Sequence, residues 1–205
     1  MAHAAPTVSA EEALERLKEG NARFLRGEAR FPTVQKEILA DLALGQQPYA
    51  TVLGCSDSRV PPELIFDAGF GELFVIRVAG NVLGPTILGT LQYAGLHLRT
   101  ALFVVLGHEG CGAVQAALAW KFEGTEQKSR IQSLIADIVP ALDHVDPRMP
   151  GREQLSLAVE ANVRHTVRQL RATPEGKARE ADRTMRLLGA VYEIQTGRVR
   201  FLDER

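Results

Sequence analysis

Cys55 and Cys111 are the only cysteines in this chain of 205 residues. Each follows a short apolar run that glycine stops. Thr51-Val52-Leu53-Gly54 leads into Cys55-Ser56-Asp57-Ser58-Arg59, and Leu102-Phe103-Val104-Val105-Leu106-Gly107 leads into His108-Glu109-Gly110-Cys111. Two thiolates and an imidazole make a Cys2His donor set, the ligand count of a zinc site that keeps a fourth position open. His108 and Cys111 are three apart, close enough for one turn to aim both at one ion, and Gly110 and Gly112 give that turn backbone freedom. In an extended segment alternate residues share a side, so Cys55, Asp57 and Arg59 would project together. The fourth position is then left to water or to Asp57. Taken singly, a Cys after a strand is most often a small buried hydrophobe. A lone His is usually an ordinary polar residue, and an isolated D-x-R is usually a structural ion pair. The joint placement after two matching strands favours the metal.

The elements that must hold this set follow from the pattern. Both apolar runs read as buried parallel strands, β-branched and short. Leu73 to Val78 is a further strand between them. Helices are expected over Glu63–Phe66 after Pro61-Pro62, Thr86–Leu98 and Ala113–Phe122. This alternation implies a parallel sheet with right-handed crossovers and a site at the strands' C-terminal ends. Ahead of it, Ser9 and Glu12 form a capping-box pattern for a helix with Leu14, Leu17, Asn21, Phe24 and Leu25 on one face. A second short helix is expected over Val34–Leu44. An arm placed so has little core of its own, and must pack on another part of the fold or on a second subunit. Beyond the site, helices are expected over Ser129–Leu142 and Glu153–Leu170, and Pro174–Arg183 reads as a further helix or a loop. Leu188–Ile194 and Val199–Leu202 around Thr196-Gly197 read as a hairpin. The fold class is α/β: a single domain with a mostly parallel sheet flanked by helices and a C-terminal antiparallel edge hairpin. Residues 1–45 form its helical arm, 46–125 the core that carries the site, and 126–205 the C-terminal helices and edge strands.

Hydrophobic residues make up 45% of the chain, enough for a sizeable core, and the net charge of −1 argues against a nucleic-acid surface. Two cysteines make no disulfide framework. Residues 1–10 have neither the basic start nor the apolar stretch of a secretory signal. No run is long enough to span a bilayer. The expected location is the cytoplasm, where both thiols stay reduced.

Cys-Ser-Asp-Ser-Arg-Val at 55–60 and His-Glu-Gly-Cys-Gly-Ala at 108–113 resemble the two signature motifs of the β-class carbonic anhydrases. The stretches from Gly71 to Asn81 and from Gly89 to Ala94 are similar to that family as well. The resemblance runs from about Gly45 to Trp120 and resumes over Leu188–Phe201. It implies Zn2+ on Cys55, His108 and Cys111, with hydroxide in the fourth position attacking CO2 to give bicarbonate. Asp57 and Arg59 match the family's dyad, in which the arginine holds the carboxylate off the metal and the carboxylate accepts a proton; only in a closed form does the aspartate bind the metal. Gln46, Phe74 and Tyr93 fall where plant-type members place pocket residues, with Val60 and Gly112 as further lining. The ordinary reading of Phe74 and Tyr93 is core packing.

The resemblance also implies a homo-oligomer, a dimer or a dimer of dimers, with the arm around a partner and the cleft at the interface. Some bacterial members carry a Trp–Arg–Tyr bicarbonate pocket that drives the aspartate onto the metal. Arg77 and Tyr192 match two of its positions, but Val52 stands where the Trp would be, which predicts an open site near neutral pH. His97, His144 and His165 are candidates for proton transfer to solvent, each more ordinarily a surface or helix-face residue. Two other functions fit the donor set: hydrolysis of carbonyl sulfide or carbon disulfide at the same metal, and a non-catalytic zinc- or redox-sensing module. A redox pair would favour C-x-x-C spacing, and a structural zinc would not need Asp57 and Arg59 beside it.

Overall fold

A computed structural model describes residues 8–30, 39–40 and 42–202. Its sheet has five strands: β1 Ala50–Gly54, β2 Leu73–Arg77, β3 Leu102–His108, β4 Arg186–Tyr192 and β5 Val199–Leu202. They lie in the order β2-β1-β3-β4-β5. The first three contacts are parallel, and β4 pairs antiparallel with β5. Every residue of β1 and β3 is buried. That is the requirement of a central parallel strand covered on both faces, and it is why these runs are continuously apolar rather than alternating.

Among the described residues, seven helices defined at both ends flank the sheet: α1 Ala10–Leu25, α2 Pro62–Ile65, α3 Pro85–Tyr93, α4 Gly112–Glu123, α5 Ser129–Ala136, α6 Gly151–Ala172 and α7 Pro174–Ala181. The expected single helix over Ser129–Leu142 is divided. α5 stops at Ala136, and Val139–Leu142 is a separate 3-10 turn, because Pro140 has no N–H to continue the ladder. The helix expected to run to Leu98 is α-helical only to Tyr93. It widens into a π turn over Ala94–Leu98 and ends at Arg99 in the left-handed region. The helix expected over Val34–Leu44 lies largely outside the described residues. No helix among the described residues is long and apolar enough to cross a membrane.

The arm finds its core within its own chain. The Ser9 hydroxyl caps α1 by accepting from the Glu12 N–H at 3.1 Å, while the Glu12 carboxylate turns outward to Arg16. α1 buries Ala13, Leu14, Leu17, Gly20 and Asn21; Leu25, expected on that face, is exposed. Gly20 is the point of closest approach, since a Cβ there would stand 1.8 Å from the Phe66 carbonyl oxygen. The next residue, the buried Asn21, joins three segments. Its Nδ2 donates to the carbonyls of Ile65 and Gly197, and its Oδ1 accepts from the Val199 N–H. Asn21→Ala leaves those groups unpaired inside the protein. It is expected to cost about 3 kcal/mol of stability, within the range for orphaned buried hydrogen-bonding groups, read by denaturant unfolding.

Candidate metal centre

β1 and β3 are neighbours in register, Ala50 opposite Leu102 and Gly54 opposite Leu106. The segments that leave their C-terminal ends therefore emerge side by side, where open parallel sheets gather ligands. Cys55 follows β1, His108 ends β3, and Cys111 stands at the N-cap of α4. All three are buried, and their donor atoms lie within 4.8 Å of one another.

The local chemistry fits a metal ion. His108 Nδ1 is 2.9 Å from the Glu109 carbonyl oxygen. A carbonyl only accepts, so this contact assigns the proton to Nδ1 and leaves the lone pair on Nε2. Nε2 is buried with no hydrogen-bond partner among the described residues, a deficit that a cation between it and the thiols would remove. Cys55 is the more easily ionised thiol. The Cys111 thiol donates to its sulfur, and the N–H groups of Asp57 and Gly80 add to this, so its pKa falls. The same hydrogen bond and burial push the Cys111 thiol up.

Asp57 and Arg59 do not project from an extended segment as the alternation suggested. Residues 57–60 form a turn in which the Val60 N–H donates to the Asp57 carbonyl. Arg59 folds back and binds the carboxylate bidentately, Nε to Oδ1 at 2.9 Å and Nη2 to Oδ2 at 2.7 Å, while its own backbone N–H donates to Oδ1. The Arg59 guanidinium holds the Asp57 carboxyl well below the usual carboxylate range. Asp57 Oδ2 remains 3.9 Å from His108 Nε2, so an anion is held at the edge of the donor set. Arg59 also reaches the Gly110 carbonyl on the second loop. Val60 is buried directly after the dyad. A Cβ at Gly112 would meet nothing within 4 Å, which leaves open space beside Cys111.

The chain does not bring Gln46, Phe74 or Tyr93 to this place. Phe74 pairs with Thr51 near the start of β1, whereas Arg77 pairs with Gly54 at its end. Those two pairs are about 10 Å apart at the strand rise of roughly 3.3 Å per residue. The Phe74 ring lies 6.2 Å from Tyr93, and Tyr93 lies 4.8 Å from His97. Gln46 lines a cleft of about 760 Å³ with Tyr49, Phe70 and Glu72, ahead of the strands. A half-open, largely apolar cavity of about 390 Å³ between α3 and α7 is lined by none of the expected site residues.

Three contributors had no assigned place in the site. Arg77, at the end of β2, donates to the carbonyls of Cys55 and Asp57 and so fixes the first loop. A charged residue closing an apolar strand was the available signal. Glu109 accepts from Arg152 and from the Gln195 N–H, which anchors the second loop. Asn162 is a polar residue between Val159, Val163 and Val167 on the buried face of α6. It holds the turn that supplies a hydrogen bond to Cys55.

A family model described as carbonic anhydrase matches residues 50–199. Carbonic anhydrase 2 of Mycobacterium tuberculosis is 36% identical over 199 residues, which is 97% of this chain and 95% of the relative. A carbonic anhydrase of Pseudomonas aeruginosa is 33% identical, covering 88% of this chain and 84% of its own length. Among solved structures, the Coccomyxa β-carbonic anhydrase in complex with acetazolamide superposes with a TM-score of 0.75 at 28% identity, over 92% of this chain and 86% of that one. With the family model across both donor segments and these relatives along nearly the whole chain, the protein belongs to the β-class carbonic anhydrases.

Proposed function

We propose that the protein interconverts CO2 and bicarbonate in the cytoplasm, with one Zn2+ per chain held by Cys55, His108 and Cys111. The observation that carries this is the buried His108, whose Nδ1 proton is committed to the Glu109 carbonyl while Nε2 has no partner among two thiols. When bound, the metal supplies Lewis acidity that brings the pKa of water toward neutrality, as in the three-histidine carbonic anhydrases.

The chain's own residues do the rest. Asp57, kept ionised by Arg59, accepts a proton at Oδ2 from the attacking water. Arg59 fixes the direction of that acceptor and prevents the carboxylate from joining the donor set, since both its oxygens are engaged. The open space at Gly112 admits a triatomic substrate, and buried Val60 keeps that wall apolar.

The working unit is a homo-oligomer. Phe70 and Tyr93 are about half exposed and Leu44 is almost fully exposed. Leu44 and Phe70 line the same cleft as Gln46 and Tyr93 packs against Phe74, and such apolar exposure marks an interface. Gln46, Phe74 and Tyr93 then serve the site of a second copy, Gln46 donating to substrate oxygen and the two rings walling the cleft.

The test is stopped-flow CO2 hydration on protein of known zinc content and measured mass. About one zinc per chain, fast turnover and a mass of at least two chains are expected. Zinc-loaded protein inert toward CO2 would overturn the reaction, and a fully active monomer would overturn the shared site.

A further inference from the structure

Cys55 Sγ accepts a hydrogen bond from the Gly80 N–H at 3.4 Å. Gly80 and Asn81 form a tight turn after β2, both at positive φ, 68° and 45°. The left-handed backbone at Gly80 favours glycine, and a Cβ there would also crowd Ile138 Cδ1 at 2.7 Å and Ala113 Cβ at 3.1 Å. Glycine is also the residue least able to hold a conformation unaided. The support comes from α6, more than 80 positions along the chain. Asn162 is 1% exposed and donates from Nδ2 to the Gly80 carbonyl at 2.8 Å. One turn later the Thr166 hydroxyl donates to the Asn81 carbonyl at 3.4 Å. The residue whose amide meets the sulfur is thus the residue whose carbonyl meets Asn162.

We propose that Asn162, seconded by Thr166, is a positioning residue for the thiolate of Cys55, acting through the Gly80 amide. This rests on the reading of Cys55 as a metal ligand. An N–H donor aimed at a thiolate withdraws part of the charge the sulfur would give to a cation, so the bond sets how strongly the metal polarises what it binds. With the clamp loosened, Gly80 samples its wide φ/ψ range, the N–H···S bond is lost for part of the time, and the sulfur becomes a stronger donor. Asparagine suits this place because it is short, uncharged and a donor. A leucine would fill the same space and give the turn nothing.

The test uses the cobalt-substituted protein, whose thiolate-to-cobalt charge-transfer absorption reports sulfur donation independently of turnover. Asn162→Ala is expected to move that band to lower energy, because a sulfur relieved of its N–H donor gives more charge to the cation. Val163→Ala is the control. Val163 is the next residue of α6 and packs on the backbone of Gly107 and Gly189, so it should lower the melting temperature comparably and leave the band in place. Thr166→Val keeps the volume and removes the donor; it should move the band the same way by less, and it carries the test if Asn162→Ala does not fold. An unmoved band in both Asn162→Ala and Thr166→Val, or an equal shift in Val163→Ala, would overturn the proposal. Wild-type protein that takes up cobalt without any thiolate band would overturn the metal reading itself, and this inference with it.

Discussion

Replacing Cys111 by serine is expected to yield a folded protein that no longer retains zinc and turns over CO2 at background. The substitution changes one atom, so the packing around a side chain 1% exposed is nearly preserved. Cys111 is also the N-cap of α4, and serine is among the preferred residues there. The helix should therefore start where it does now. What disappears is a thiolate from a set of three donors, and a neutral hydroxyl does not replace it. Changes to groups that merely support ligands cost about 10–100-fold in metal affinity, and loss of a ligand should exceed that. The check is metal analysis after gel filtration, alongside a melting curve and CO2 hydration. Full zinc content in Cys111→Ser would remove Cys111 from the donor set; a collapsed melting curve would mean that the residue is chiefly structural.

The second large effect is expected at Asp57. Asp57→Asn keeps the shape of the side chain and lets its carbonyl oxygen accept one bond from Arg59, but it removes the anion. If Asp57 takes the proton of the attacking water, kcat should fall by about 10²-fold or more, the usual yield of a positioned base. That is roughly 2.7 kcal/mol of transition-state stabilisation. Zinc content should not change, because Asp57 is turned to Arg59 and stands outside the donor set. The shape of the pH–rate profile should alter as well. Unchanged kcat and an unchanged profile at full zinc would make Asp57–Arg59 the structural ion pair that an isolated D-x-R ordinarily is. Loss of zinc together with activity would mean instead that the dyad holds the first loop in shape.

Much of the fold was legible because its signals are local. β1 and β3 are buried on both faces, so their sequences are continuously apolar and stop at glycines. Proline after β1 marks α2, and Thr196-Gly197 marks the turn into β5. The divided helix after Ser129 was misread because the apolar spacing continues past Pro140, which cannot. The arm was ambiguous for a different reason. Its amphipathic face announces burial without naming the surface that buries it, and here that surface is the Phe66 backbone and the β4–β5 turn.

By itself the sequence determined the family resemblance and the candidate donors. Donor types, their placement after matching strands and the D-x-R beside them are properties of residue identity and order, and they mark a Cys2His group that could hold a metal. Tertiary structure decided the directions. Only the folded turn shows Arg59 doubled back on both oxygens of Asp57, because side-chain direction in a loop depends on contacts that no period encodes. Only the sheet register sets Phe74 three residues back from the donor set of its own chain, and Tyr93 packs against Phe74. Only the packing of α6 joins Asn162 to Cys55 through Gly80. Those two residues lie far apart in sequence, and a polar side chain acquires a role from its neighbour in space.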